Sequence, residues 1–323
     1  MKKVTVIGGG TGTFVVLSGL KTYDLDLSVI VTMMDSGGST GRLRDQLGVL
    51  PPGDLRQCLV ALSEAPLLWR KLFLYRFENG DLAGHNFGNI FISALEKVSG
   101  DYNEVIDTIS YVLKTKGKVL PVTFDKGHLC VEYESGLVIK EEGNIDEDNT
   151  EESRIVKAYI EPPVLPNTEA LQRIADSDYV IIGPGDIYTS IVPVLVVDGI
   201  KSAIQNSKAK IVFIMNLVTK TGQTTRYDAQ DFVADITRYL GRPPDMVVMN
   251  NGQIPAEVLE WYKSHHEQIV KNNLTPNDGN MHIIEEDLID QSQHVKQSSD
   301  QLSRSILRHD SDKLAKVLVG NLV

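Results

Sequence analysis

The sequence predicts an α/β protein: a mostly parallel sheet flanked by helices, with a small β-rich insertion. Short, almost wholly apolar runs recur at residues 4–7, 27–34, 179–182, 211–215 and 246–249. Such runs are the mark of strands buried on both faces of a parallel sheet. Stretches with helical apolar spacing separate them, as crossover connections require. The runs also give way at their C-terminal ends to Gly, Asp or Asn, and in open α/β sheets that edge is where ligands bind.

Taken in order, residues 4–7 form a strand that breaks at Gly8, and a helix opens at Thr11 with Phe14, Leu17 and Leu20 on one face. Residues 27–34 form a second strand ending at Asp35, which completes the opening of a βαβ unit. Residues 42–115 are mostly helical, with apolar stripes at 59–62, 67–77, 90–98 and 105–113. Short alternating runs follow at 119–124, 129–133, 137–139 and 155–160, which predict the β-rich insertion. Its acidic stretch, residues 141–152, reads as a solvated loop rather than a cation site. The buried-strand pattern resumes at 179–182, 211–215 and 246–249, with a helix over 231–240. Beyond residue 252 the chain reads as helical and polar, with a mobile segment around 291–300.

Composition narrows the function classes. Hydrophobic residues make up 42% and charged residues 23% of 323, an ordinary globular balance. A net charge of -11 argues against general affinity for nucleic acid or anionic membranes. No apolar run approaches the roughly 20 residues of a membrane span, and Met1-Lys2-Lys3 leads into a strand and a glycine turn rather than a signal sequence. The two cysteines, Cys58 and Cys130, lack metal-ligand spacing and read as core residues of a reduced, cytoplasmic protein.

The chemistry sits in the turns. Gly8-Gly9-Gly10-Thr11-Gly12-Thr13 joins a strand to a helix, where glycines and free helix N–H groups suit a phosphate or diphosphate. Its third glycine is displaced by one from the dinucleotide fingerprint, and no Walker-type lysine follows. The second turn, Asp35-Ser36-Gly37-Gly38-Ser39-Thr40-Gly41-Arg42, presents amides and hydroxyls to a phosphate or sugar. Asp35 is placed to hold Mg²⁺ or a sugar hydroxyl; the alternative is a capped helix start. Asp54 reads as a helix cap and Arg56 as a phosphate contact in Pro51-Pro52-Gly53-Asp54-Leu55-Arg56. In Gly84-His85-Asn86-Phe87-Gly88-Asn89, His85 is either a functional base or a buried structural histidine, while Asn86 and Asn89 suit base or sugar contacts. Gly183-Pro184-Gly185-Asp186 and Asn216-Leu217-Val218-Thr219 end two further strands. Arg308 is either a diphosphate clamp or a surface charge.

Together GGGTGT, DSGGSTGRLR, PPGDLR, GHNFGN, GPGDIYTSI and NLVTKTGQT resemble the YvcK subgroup of the CofD-like family over roughly residues 4–250, and the Arg308-His309-Asp310 segment also fits. The resemblance implies one three-layer α/β/α Rossmann-like domain over residues 1–323, with the insertion at about 118–165, generally as a homodimer. It also implies binding of UDP-sugars such as UDP-N-acetylglucosamine, with roles in gluconeogenic growth and cell-shape control through a regulatory partner. On that basis Gly9, Gly10, Thr11 and Gly12 cradle the diphosphate, and Ser36, Gly37, Gly38 and Ser39 with Arg42 cover its other side. Asn86, Asn89, Gly185, Asn216 and Arg308 contact the rest of the ligand, and Tyr262 stacks on the base. CofD enzymes are Mg²⁺-dependent transferases that place a phospholactyl group on a deazaflavin. They carry an acidic metal cluster after the second strand, where this chain has only Asp35. The resemblance therefore implies ligand binding with no required cofactor, ahead of a Mg²⁺-dependent transferase using Asp35. The glycine turn with Asp35 leaves an NAD(P)-binding protein as a third reading.

Overall fold

Val4, Val6, Ile7, Val29, Ile30, Ile181, Ile182 and Phe213 are all fully buried, because their strands are covered by helices on both faces. The structure, a computed structural model, describes residues 1–147, 150–275, 281–291 and 306–322. Apart from Gln291, the segment read as mobile lies outside the described residues.

The chain runs β1 (Lys2–Gly8), α1 (Gly10–Leu20), β2 (Leu25–Val31), α2 (Gly38–Leu47), α3 (Gly53–Leu62), α4 (Leu67–Leu74), α5 (Phe87–Val98), α6 (Tyr102–Leu113) and β3 (Lys118–Pro121). The insertion follows, with β4 (His128–Tyr133), β5 (Val138–Lys140), α7 (Glu142–Glu147) and β6 (Ile155–Glu161). Then come α8 (Thr168–Asp176), β7 (Tyr179–Ile182), a π-helical turn over Ile187–Ile191, α9 (Val192–Leu195), α10 (Ile200–Asn206) and β8 (Lys210–Ile214). The last elements are α11 (Ala229–Leu240), β9 (Met246–Asn250), α12 (Ala256–Ser264), β10 (His282–Glu286) and α13 (Ser311–Asn321).

The main sheet has seven strands in the order β10-β9-β8-β7-β1-β2-β3, and every pairing is parallel. Successive strand residues point to opposite faces. Val4, Val6, Val29, Ile181 and Val248 enter one core, with α1, α3 and α13. Ile7, Ile30, Ile182, Phe213 and Val247 enter the other, with α8, α10, α11 and the insertion. The fold is thus a three-layer α/β/α arrangement with a small antiparallel sheet, β5-β4-β6, as the sequence predicts. Strand order reverses at β1, with β2 on one side and β7 on the other, and the crevice outside such a switch point is the expected ligand position.

Three expectations are corrected. The insertion sheet starts at His128, because Lys118–Pro121 pairs with β2 at the edge of the main sheet. The region after residue 252 contains a strand, His282–Glu286, paired with β9. It is a half-exposed edge strand with charged ends, so it lacks the apolar run that marks its neighbours. The acidic stretch is not all solvated loop: its first part is α7, with Ile145 in the core. Cys58 and Cys130 are free and buried, and no single described helix is long and apolar enough to cross a membrane.

Candidate functional site

A cleft of about 250 Å³ opens at the C-terminal ends of β1, β7 and β8. Its floor is the turn Gly9–Gly12, where strand β1 passes into helix α1. Gly10 sits at φ +67, a left-handed conformation that disfavours any side chain with a Cβ. Its amide donates to Asp54 Oδ1 at 2.9 Å, so the start of α3 clamps the turn. Asp54 is therefore not the expected cap of its own helix. At Gly12 a Cβ would lie 2.1 Å from the Pro184 carbonyl oxygen, so the two glycine-rich turns meet only because that position has no side chain.

The second turn, Gly183-Pro184-Gly185, ends β7. The Asn216 side chain, following β8, donates to the Gly185 carbonyl at 2.8 Å and fixes the turn from the far side. Arg308 and His309 close the rim. They lie on a segment bridged to residues 288–290, with Asp310 as the side-chain cap of α13.

One wall of the cleft is acidic. Asp35 follows β2, Asp186 follows the second turn, and Glu142 and Asp146 project from α7. Burial, then the charges of Asp35 and Asp146, push the Glu142 carboxyl well above the ordinary range. Burial and Asp186 likewise raise Asp146. Lys220 faces this wall, 3.1 Å from Asp146 and 3.7 Å from Asp186. Burial opposes its charge, but the two carboxylates outweigh that and hold the ammonium above its usual value. At the rim the reverse happens: burial drives His309 down to about 4, only partly offset by its bond to the Met215 backbone, so the ring is neutral at pH 7.

Of the residues singled out from sequence, the cleft brings together Gly9, Gly10, Thr11, Gly12, Asp35, Gly185, Asn216 and Arg308. The others serve elsewhere. Gly37 and Gly38 start α2, and Ser36 Oγ accepts the Gly143 amide at 2.7 Å while the Ser36 amide donates to Glu142. This turn anchors α7 and with it the acidic wall. Ser39, His85, Asn86 and Asn89 form a buried polar knot: Ser39 Oγ lies 3.2 Å from His85 Nδ1, and the Asn89 amide donates to Asn86 Oδ1. Arg56, expected at a phosphate, is buried and donates to Asn89 Oδ1 at 2.7 Å and to the Phe73 carbonyl. Arg42 donates to the Ala83 carbonyl. Tyr262 is 1% exposed, and its hydroxyl accepts the Leu307 amide, so no face is open to a base.

Sequence reasoning missed Glu142, Asp146, Lys220 and Trp261 as wall residues. Lys220 lay within a quoted motif, and Glu142 and Asp146 lay in an acidic run whose local pattern looks like solvated loop. Among the described residues no three His, Cys, Asp or Glu side chains converge into an all-protein metal cage. Mg²⁺ is usually held by one or two carboxylates together with water and ligand phosphate oxygens, and Asp35, beside the glycine turn, is the residue that would supply one.

Comparison with known proteins agrees with this architecture. Residues 4–289 match the family model described as 2-phospho-L-lactate transferase CofD. A protein of Thermoanaerobacterium thermosulfurigenes is 39% identical over 323 residues, covering 99% of this chain and 97% of its own length. The gluconeogenesis factor of Bacillus subtilis is 35% identical over 324 residues, covering 99% and 98%. A crystal structure of a UPF0052-family protein from Bacillus halodurans superposes with a TM-score of 0.88 at 35% identity, covering 99% of this chain and 100% of that one. Matched by a family model over most of its length and by relatives from end to end, the chain belongs to the CofD family.

Proposed function

We propose that this chain is a nucleotide-sugar-binding regulatory protein, with UDP-N-acetylglucosamine as the ligand type, that links carbon metabolism and gluconeogenic growth to cell-wall precursor supply and cell shape. The observation that carries this reading is the divided chemistry of the cleft. Its floor is two abutting glycine-rich turns at a helix N-terminus, with Arg308 at the rim, which suits a diphosphate. Its wall is Asp35, Glu142, Asp146 and Asp186, acceptors that suit the hydroxyls of a sugar and repel a second anion. A ligand whose diphosphate is joined to a hydroxyl-rich sugar matches both halves. The metabolic role is supported by relatives named as gluconeogenesis factors. In this reading the protein is a cytoplasmic homodimer that requires no cofactor and signals ligand occupancy to a protein partner.

A second reading is a Mg²⁺-dependent transferase. It is favoured by the family model's description and by Asp35 beside the glycine turn. Calorimetric titration with UDP-N-acetylglucosamine, GDP and NAD, with and without Mg²⁺, separates these readings. Micromolar binding of the UDP-sugar, recovered intact and indifferent to Mg²⁺, is the expected result. Tight GDP binding that needs Mg²⁺, without UDP-sugar binding, overturns it in favour of the transferase, and selective NAD binding points to a dehydrogenase-type site.

A further inference from the structure

Among the described residues lining the cleft, Trp261 on α12 is the one with a six-membered aromatic ring. It is half-buried, while its neighbour Tyr262 is buried in the core. Two contacts fix the indole: His265 stacks on it with ring centroids 4.0 Å apart and planes at 28°, and Tyr262 meets it edge-on at 4.9 Å and 89°. The His265 ring is itself held, 2.8 Å from the Trp261 carbonyl through Nδ1.

Both cleft edges then tie α12 in place. On one side the Tyr262 hydroxyl accepts the Leu307 amide at 2.9 Å, next to Arg308. On the other, the segment after α12 bonds to residues 217–219, through Thr219 N–H to the Gln268 carbonyl at 2.8 Å and Val270 N–H to the Leu217 carbonyl at 3.1 Å. A large flat side chain is thus held between the strap that carries Arg308 and the segment after Asn216, on the wall of a cleft whose other apolar lining groups, Val15, Leu217, Val218 and Leu307, are aliphatic. A π-face so placed contributes little to binding a bare phosphate or sugar, and much to binding a planar heterocycle.

We propose that Trp261 is the platform on which the aromatic base of the ligand stacks, so that the site selects base-bearing diphosphates over diphosphates without a base. This deepens the nucleotide reading and rests on it. The role expected of Tyr262 falls to the residue before it, because the helix turns Tyr262 inward to anchor the strap and leaves Trp261 facing the cleft.

The chain has two tryptophans, Trp69 and Trp261. Trp69 lies on α4 against Phe73, away from the cleft, so Trp69→Phe leaves Trp261 as the sole indole reporter. That variant is titrated with UDP, GDP, UDP-N-acetylglucosamine and inorganic pyrophosphate, by fluorescence and calorimetry in parallel. The expected result is saturable quenching of Trp261 by each nucleotide that binds and none by pyrophosphate. Trp261→Ala should weaken nucleotide binding about 10- to 100-fold and leave pyrophosphate binding within about twofold, with Trp261→Phe recovering most of the loss. A nucleotide that binds calorimetrically yet leaves both the emission and the Trp261→Ala affinity unchanged overturns the stacking role and spares the nucleotide reading. Quenching by GDP with no binding of uridine nucleotides spares the stacking role and overturns the choice of UDP-sugar. Binding of pyrophosphate alone, or of nothing in the panel, overturns both.

Discussion

The Asp54 carboxylate accepts the Gly10 amide at 2.9 Å, joining the N-terminal ends of α1 and α3 across 44 residues of sequence. It also places a negative charge beside the turn read as the diphosphate cradle. The two effects oppose each other: the hydrogen bond shapes the turn, and the charge repels an anion. Asp54→Asn separates them, because its Oδ1 still accepts the amide while the charge is gone. One unit charge several ångströms away, at an effective dielectric near 20, is worth about 1–3 kcal/mol. Pyrophosphate should therefore bind Asp54→Asn about 10-fold tighter than the natural protein, with thermal stability nearly unchanged. Weaker binding on calorimetry would mean that the carboxylate itself contacts the ligand or a cation bridging to it.

Asn89 tests the division between site and scaffold. It is 3% exposed, and its Oδ1 accepts Arg56 Nε while its Nδ2 lies 3.4 Å from both Ser39 Oγ and Thr40 Oγ1. Asn89→Ala removes one partner of a buried guanidinium, which costs about 2–4 kcal/mol. Urea unfolding should show that loss, while the folded protein keeps its ligand affinity within about threefold. A stable variant with a large loss of affinity would instead make Asn89 a ligand contact.

This contrast shows what was legible in the sequence. Glycine turns at the ends of buried strands were readable, because strand, turn and helix are contiguous and the switch-point rule places them at one edge. Gly9–Gly12, Asp35, Gly185 and Asn216 accordingly meet in the cleft. Asn86, Asn89 and Arg56 have the polar character of site residues, but their burial depends on the packing of α2, α3 and α5, which no local pattern reports. The same limit hid Glu142: an acidic run looks solvated until Ile145 is seen to pin α7 to the core and turn its carboxylates into the cleft. Trp261 and Tyr262 were separable only by the direction in which α12 faces. β10 was illegible because an edge strand needs no apolar run.

Glu142 makes ligand affinity depend on pH. Burial, Asp35 and Asp146 raise its pKa, so it takes up a proton at higher pH than an ordinary carboxyl. Each proton taken up removes one negative charge from the wall facing an anionic ligand. Affinity for UDP-N-acetylglucosamine should therefore rise as pH falls through the raised range in which Glu142 takes up its proton, with net proton uptake on binding. Glu142→Gln should bind with a flatter pH profile, resembling the natural protein at the acidic end. Calorimetry in buffers of different ionisation enthalpy measures the proton uptake directly, and the same uptake in Glu142→Gln as in the natural protein would assign it to another group.

His309 makes stability depend on pH in the opposite sense. Its ring bonds the Met215 backbone, Nε2 has no hydrogen-bond partner, and burial lowers its pKa from 6.5 to about 4. The unfolded chain then binds the proton more readily than the folded one, so the contribution is complete above pH 6.5 and is lost progressively as pH falls toward 4. Between pH 7.5 and 5.0 the loss from this residue is about 2 kcal/mol. Glu142 and Asp146 have raised pKa values and contribute in the opposite sense as pH falls, so the natural protein alone shows only the sum. The difference between the natural protein and His309→Phe isolates the histidine. Urea unfolding at both pH values should give a variant whose deficit at pH 7.5 shrinks by about 2 kcal/mol at pH 5.0, with His309→Gln as a polar control. A deficit that stays constant with pH would mean that the ring is already solvated or charged in the folded protein. The closed rim beside Arg308 would then be open in solution.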